Sequence, residues 1–332
     1  MSVKKIGRLV RYPEQGLLGP VDFPCLLIRG HKANPANWYC YRAEVVAVAD
    51  LDAYNRTVNV PTVAGYTQLG SLLRYWRGIR RISQLDLALE AGISTRHLSY
   101  VETGRALPSR EMIVRLATAL QVPLRERNAL LLAAGYAPLY MQNSLEAPEI
   151  EEAKRAIDFL LIQQEPNPAF VVDRYWNILM MNCGTRRFFS FFPNLVLPER
   201  PNAIRLVFRP DGLRPFIVDW EDLAARLIQR VHREEAIVGP SDTQIAAFRD
   251  ELLNYPGVPN RWRTPDPASA PPPFLTIDYR WNECIVRLFS TITTFGTPQD
   301  VTLQELRIEC FFPADEATRS AFTLPQARQS TP

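Results

Sequence analysis

The chain has 332 residues, 47% of them apolar and 10% aromatic. That is enough for two or three domains with cores of their own, and it excludes a disordered polymer. The formal charge is only +3, so no global field draws the protein to nucleic acid and any basic surface must be local.

Five cysteines, at 25, 40, 183, 284 and 310, are odd in number, far apart and without a CxxC pair. Neither a disulfide framework nor a zinc site fits them, whereas a reducing cytoplasm does. His31, His97 and His232 are equally scattered, so no metal is expected. No apolar run reaches the ~18 residues of a membrane helix; the best stretch, 284–295, carries Arg287. Near the start, Arg8, Arg11 and Glu14 interrupt what would be a signal-peptide core. A soluble, cytoplasmic protein is expected.

Taken in chain order, residues 1–66 contain apolar pieces such as PCLLIRG, but they show no clean period and are cut by prolines at 13, 20, 24, 35 and 61. AEVVAVA reads as a strand or a short helix. The segment is expected to be an N-terminal extension, either a poorly ordered leader or an over-extended gene start.

Regular pattern begins at 67. Thr67 can cap a helix with Leu69, Leu72, Leu73 and Trp76 on one stripe. Ser83 caps the next, with Leu85, Ala88 and Leu89 expected inward, and Gly92 ends it. Ser94 caps a third helix that ends at Gly104. Pro108 and Ser109 open a fourth with Met112, Ile113, Leu116, Ala117 and Leu120 on one face, and Pro123 opens a fifth that runs to Gly135. The expectation is an all-α five-helix domain over 67–137, followed by a linker at 138–148.

From 149 the pattern mixes. A helix over 149–164 turns Ala153, Ile157, Leu160 and Leu161 inward, and AFVVDRYWNILMMN reads as a strand pair around an Asp-Arg corner. Helices are expected at 184–192, 220–236 and 241–254. Seven prolines between 256 and 273 make a loop. Strands follow at 274–281, 283–295 and 302–313, and 318–332 reads as a disordered tail. The fold class is therefore multidomain: the helical domain, then an α+β domain over 149–317 with an antiparallel sheet.

The short turn at Gly92 and Ile93 cannot lay two helices comfortably antiparallel. It sets them at roughly 90–120°, a helix-turn-helix. Ala88, Ile93, Leu98 and Val101 share one core, which leaves Thr95, Arg96, Ser99 and Tyr100 outward on the second helix. An α-helix fits the major groove, where Arg96 can grip guanine, Thr95 and Ser99 can donate or accept, and Tyr100 can contact a thymine methyl. Gln84 stands where a phosphate contact is made. Residues 67–115 hold eight arginines against four acids, a formal charge of +4, and the rest of the chain carries −1. Arg74, Arg80 and Arg81 are equally readable as a solvated face, His97 as a half-buried residue rather than a base reader, and Arg77 with Glu102 as a brace.

The stretch SQLDLALEAGISTRHLSYVETGRALPS resembles the Cro/repressor-type, or xenobiotic-response-element, helix-turn-helix family. The resemblance rests on Ser83-Gln84, Ala91-Gly92 and the Glu-x-Gly-Arg of 102–105. It implies phosphate contacts by Gln84, Thr103 and Arg105, base reading by Thr95, Arg96 and Tyr100, and an internal Arg77–Glu102 bridge. NPAFVVDRYWNILMMN, PERPNAIRLVF, DWEDLAARL and LFSTITTFGTPQDVTLQELRIECFFPADE resemble the MmyB-like ligand-binding domain. This implies a PAS-like fold that holds a small apolar molecule, with a fatty acid as the suggestion. Trp176, Asn182, Asp219 and Trp220 match frequent residues of that domain; the proline-rich loop is longer than its usual pattern.

The aromatics Trp176, Phe188, Phe189, Phe191, Phe192, Trp220 and Phe289 are enough to line an apolar pocket or simply to fill a core. Of these, Trp176, Phe188, Phe192, Trp220 and Phe289, together with Asn182, are the expected pocket residues. Arg186 and Arg187 either meet a carboxylate head group or lie at the surface.

The leading expectation is a dimeric, sequence-specific regulator that binds a double-stranded DNA operator and senses a small apolar ligand, without a cofactor. The rival is an antitoxin-like or adaptor protein whose second domain binds another protein. No nucleophile motif, phosphate loop or metal cluster suggests an enzyme.

Overall fold

The computed structural model describes residues 65–238, 242–266 and 273–323. The AEVVAVA stretch and the last nine positions lie outside them. Helix α1 spans Gly65–Arg80, α2 Gln84–Glu90, α3 Thr95–Glu102, α4 Arg110–Ala119 and α5 Leu124–Ala133. The helix is already running at Gly65, so position 67, expected at its start, lies inside it.

Three serines set the next starts. Ser83 accepts from Asp86 N while Asp86 returns a bond to the Ser83 amide, a capping box; Ser94 accepts from His97 N and Ser109 from Met112 N. The apolar stripes meet in one core built on Leu73, Trp76, Leu87, Leu98, Leu116 and Leu130. The inward face of α2 is Leu87 and Ala88, with Ala91 buried at its C-cap. Leu85 and Leu89, expected inward, are 64% and 79% exposed. Seven residues give two turns, too few for the apolar spacing to fix the phase of the helix.

In the second domain α6 spans Glu151–Gln163, β1 Ala169–Val172, β2 Ile178–Met181, α7 Cys183–Ser190 and α8 Ala203–Phe208. Then come α9 Trp220–Ile237, α10 Thr243–Leu253, β3 Leu275–Trp281, β4 Cys284–Thr293, α11 Val301–Glu305, β5 Arg307–Pro313 and α12 Glu316–Thr323. The sheet is antiparallel throughout, in the order β2-β1-β5-β4-β3.

Strand alternation divides the apolar residues between the two faces. Val171, Leu179 and Ile308 meet Ile157 and Leu161 of α6. Phe170, Ile178, Ile277, Leu288 and Phe311 meet the helices of the opposite face. Leu160, expected inward on α6, is 41% exposed, outside the stripe that Ile157 and Leu161 define.

Two further expectations are corrected. Residues 302–305 are helical rather than strand, because Asp300 caps α11 by accepting from Leu303 N, and β5 starts only at Arg307. The segment expected as tail from 318 begins as α12. Asp315 accepts from Thr318 N, Thr318 Oγ1 accepts from Arg287 N, and Phe322 is buried against Phe188 and Phe191. Among the described residues no helix is long and apolar enough to cross a membrane.

Candidate functional site

The turn between α2 and α3 is built from Gly92 at φ +65° and Ile93, whose amide donates to Ala88 O at 2.9 Å. A side chain at position 92 would be strained in this left-handed conformation. Leu98 and Val101 are buried, which leaves Thr95, Arg96, Ser99 and Tyr100 on the outward face of α3. Arg96 is exposed, donates from Nε to Tyr100 Oη at 3.0 Å and lies 5.5 Å from that ring's centre. The two side chains thus brace each other on the outward face of α3. His97 is half-buried, with Nε2 enclosed and unbonded, which favours packing over base contact.

Behind α3, the Glu102 carboxylate is 1% exposed. It accepts from Arg77 Nε and Nη2 at 2.9 and 3.1 Å and from Gln84 Nε2 at 2.6 Å. One N–H of the Gln84 amide is therefore spent on the brace. Thr103 is likewise turned back, donating from Oγ1 to Ser99 O at 2.7 Å. Arg105 remains exposed. Arg80, readable as surface charge, caps α4 by donating to Leu120 O and Gln121 O, both at 2.8 Å. Close packing of α1 on α3 needs Gly70, where a Cβ would come within 2.2 Å of Glu102 O.

The second candidate site is a cavity between the sheet and α7 to α9. Phe170, Trp176, Phe188, Leu227, Ile277 and Phe311 form much of its apolar wall. The atom-free space it bounds is about 610 Å³, a figure that includes open solvent at its mouth. Trp176 enters from the β1–β2 turn at φ +68° and donates from Nε1 to Glu234 Oε2 at 2.9 Å. Arg230 and Arg307 lie 5.2 and 5.0 Å from its ring centre.

Of the expected pocket residues, Trp176 and Phe188 line the cavity and four do not. Asn182 is spent on structure: it caps α7 by accepting from Thr185 N, accepts from Ala169 N, and donates to Asn167 O. Phe192 stands behind the wall against Phe188 and Tyr279. Trp220 packs on Phe208 and Trp262 and donates to Val207 O at 2.8 Å. Phe289 stacks on Phe312 on the opposite side of the sheet, as its parity relative to Leu288 requires. Arg186 and Arg187 do not line the cavity either; Arg187 donates to Glu165 and Pro166 O.

The lining also contains two charged residues the sequence reading did not single out, Arg230 and Glu309. Arg230 Nη1 is buried without a hydrogen-bond partner. Burial pushes the Glu309 carboxyl above its ordinary range, against the opposing effect of Ser290 and of Arg230 and Arg307 nearby. An acid whose pKa is raised by folding binds its proton more tightly in the folded chain. Stability therefore falls as pH rises from the ordinary carboxylate value, about 4.3, through the raised one. Glu309→Gln should remove that slope. Thermal unfolding between pH 4 and 8 should show the variant gaining on the wild type as pH rises, and parallel curves would contradict the assignment.

A short-turned pair of capped helices with an outward polar face defines a helix-turn-helix region, here joined to an α+β domain with an apolar cavity. Residues 153–324 match the MmyB-like transcription regulator ligand binding domain, and the chain belongs to that family. Residues 68–130 match a helix-turn-helix domain. Together these make the chain a transcription regulator, and they are the families of a DNA-binding regulator rather than of an enzyme. Among solved structures, the chain is similar to the restriction-modification controller protein C.AhdI from Aeromonas hydrophila. The two are 34% identical over 19% of this chain and 97% of that one, with a TM-score of 0.19. No curated protein sequence matches.

Proposed function

We propose that the protein is a sequence-specific regulator that reads DNA with α3, acts as a homodimer, and responds to a small apolar ligand held between the sheet and α7 to α9. The observation that carries the DNA reading is the outward set Thr95, Arg96, Ser99 and Tyr100 on a helix fixed by the Ser94 cap and the Glu102 brace. Two copies related by a two-fold axis would place their reading helices about one DNA turn, ~34 Å, apart. Arg105 serves as a phosphate contact. Gln84 can join it with the second N–H of its side-chain amide, and Thr103 by exchanging the bond its hydroxyl makes within the domain.

The apolar wall favours an alkyl or aryl body, and the unpartnered Arg230 Nη1 supports an acceptor at one end. A fatty acid meets both demands. The ligand acts by binding one arrangement of the two domains better than another, since equal affinity shifts nothing.

Two arginine variants test the DNA reading. Arg96→Ala should cost about 1–3 kcal/mol on the selected site and relax preference at one base, whereas Arg105→Ala should weaken all sequences alike and lower the salt dependence. Titration of matched and single-substituted duplexes separates the two patterns. Uniform weakening by Arg96→Ala would remove it from base reading.

A further inference from the structure

The serines at 83, 94 and 109 cap their own helices. Helix α5 differs: Pro123 stands at its N-cap and makes no side-chain bond. Its first amide, Leu124 N, donates instead to Gln304 Oε1 at 2.7 Å, on α11 of the ligand-binding domain. The next residue makes a second tie. Arg125 donates from Nε and Nη2 to the two oxygens of Glu305 at 2.7 and 2.8 Å, a bidentate pair.

Glu305 is shared. Its Oε1 also accepts from Arg174 Nη1 at 2.8 Å, and Arg174 Nη2 pairs with Asp242 Oδ2 at 2.6 Å. Charges alternate along Arg125, Glu305, Arg174 and Asp242. Arg174 is only 8% exposed, so moving one member leaves its neighbours short of a counter-charge where water screens poorly.

Arg174 sits in the β1–β2 turn, two residues before the cavity-lining Trp176. The Asp173 carboxylate ties this turn together by accepting from Tyr175 N and Asn177 N at 2.8 and 2.9 Å. Tyr175 Oη donates to Asp242 Oδ2 at 2.9 Å, and Tyr175 O accepts from Asn202 Nδ2 at 2.7 Å. Trp176 itself is held in left-handed backbone, a conformation that persists only where the surroundings over-determine it. Because these bonds tie the turn together, a displacement that reaches the Trp176 backbone carries Arg174 with it.

We propose that the turn at 173–177 transmits occupancy of the cavity to the DNA-binding domain, with Glu305 as the shared contact between Arg174 and Arg125. What moves Trp176 rests on the ligand reading given above; the connection from Trp176 to α5 does not. A molecule that displaces the indole moves Arg174 against Glu305, changes the hold of that carboxylate on Arg125, and alters the cap that the adjacent Gln304 places on α5. The orientation of α5, and with it the core it shares with α3, then depends on whether the cavity is filled.

Hydrogen exchange of the full chain tests this without a ligand. Arg125→Ala should speed exchange at Trp176 and Asn177 by about fivefold or more, the size of an ordinary coupling between residues of one network. The β3–β4 ladder should be unchanged, and Arg125→Lys should give a smaller effect. Unaltered exchange at 176 and 177 in Arg125→Ala would overturn the proposal. A second arm uses sodium dodecanoate as the probe, with binding followed by tryptophan fluorescence. In the wild type it should alter exchange at 124–128, and in Glu305→Ala, which removes the contact that Arg174 shares with α11, it should bind equally well without that change. Persistence of the change in Glu305→Ala overturns the connection. Absence of binding to the wild type counts against the ligand reading, and the ligand-free arm still decides the connection.

Discussion

Glu102→Ala should destabilise the DNA-binding domain by about 3 kcal/mol, the low end of the cost of breaking a buried ion pair. The low end applies because Arg77 keeps 23% of its side chain in water while Glu102 keeps 1%. The loss is compound: Arg77 and Gln84 lose their acceptor together, and three elements, α1, α2 and α3, lose the point where they meet. For a small domain whose whole stability is about 5–10 kcal/mol, this is a large fraction. Thermal unfolding should resolve an earlier transition for the DNA-binding domain, with DNA affinity falling in step. Replacing both partners, as in Arg77→Met with Glu102→Leu, should recover much of the stability, because no charge is then stranded. A double variant as unstable as the single one would refute the brace.

Trp176→Ala should cost the ligand-binding domain about 3–5 kcal/mol, the usual range for removing a buried aromatic ring. The side chain is 1% exposed, its Nε1 satisfies Glu234, and its ring lies beside both Arg230 and Arg307. Backbone conformation adds a second expectation. Alanine at φ +68° keeps the strain that glycine would release. Trp176→Gly should therefore unfold no earlier than Trp176→Ala, although it removes one more carbon. A glycine variant that melts well below the alanine variant would show that the left-handed conformation is not a cost at this position.

Much of the DNA-binding region was legible because its signals are local. Ser83, Ser94 and Ser109 cap within three residues, Gly92 makes the turn, and Arg77 with Glu102 could be paired from the resemblance. Leu85 and Leu89 misled because a two-turn helix gives the apolar spacing too little length to choose a face. In the second domain, residues 302–305 looked like strand because apolar spacing in a short run fits either period, and the deciding signal was the Asp300 cap.

The cavity was harder to read. Phe289 and Leu288 are neighbours that face opposite sides of the sheet, so aromatic count alone could not separate pocket from surface. Glu309 did leave a trace, a lone acid in RIECFF at the same parity as the cavity-lining Phe311. Arg230 left none, since a charged residue on an amphipathic helix normally reads as solvent face. The ties from Gln304 and Glu305 to α5 join residues 180 apart in sequence, and no local rule reaches that far.

Sequence-specific reading by α3 is tested most directly by selecting DNA bound by the full chain from a random pool and titrating the winner against a scrambled duplex at fixed salt. The enriched site should contain two related half-sites about one helical turn apart, bound at least ~10³-fold more tightly than the scrambled sequence. An unenriched pool, with equal affinity for both duplexes, would contradict it.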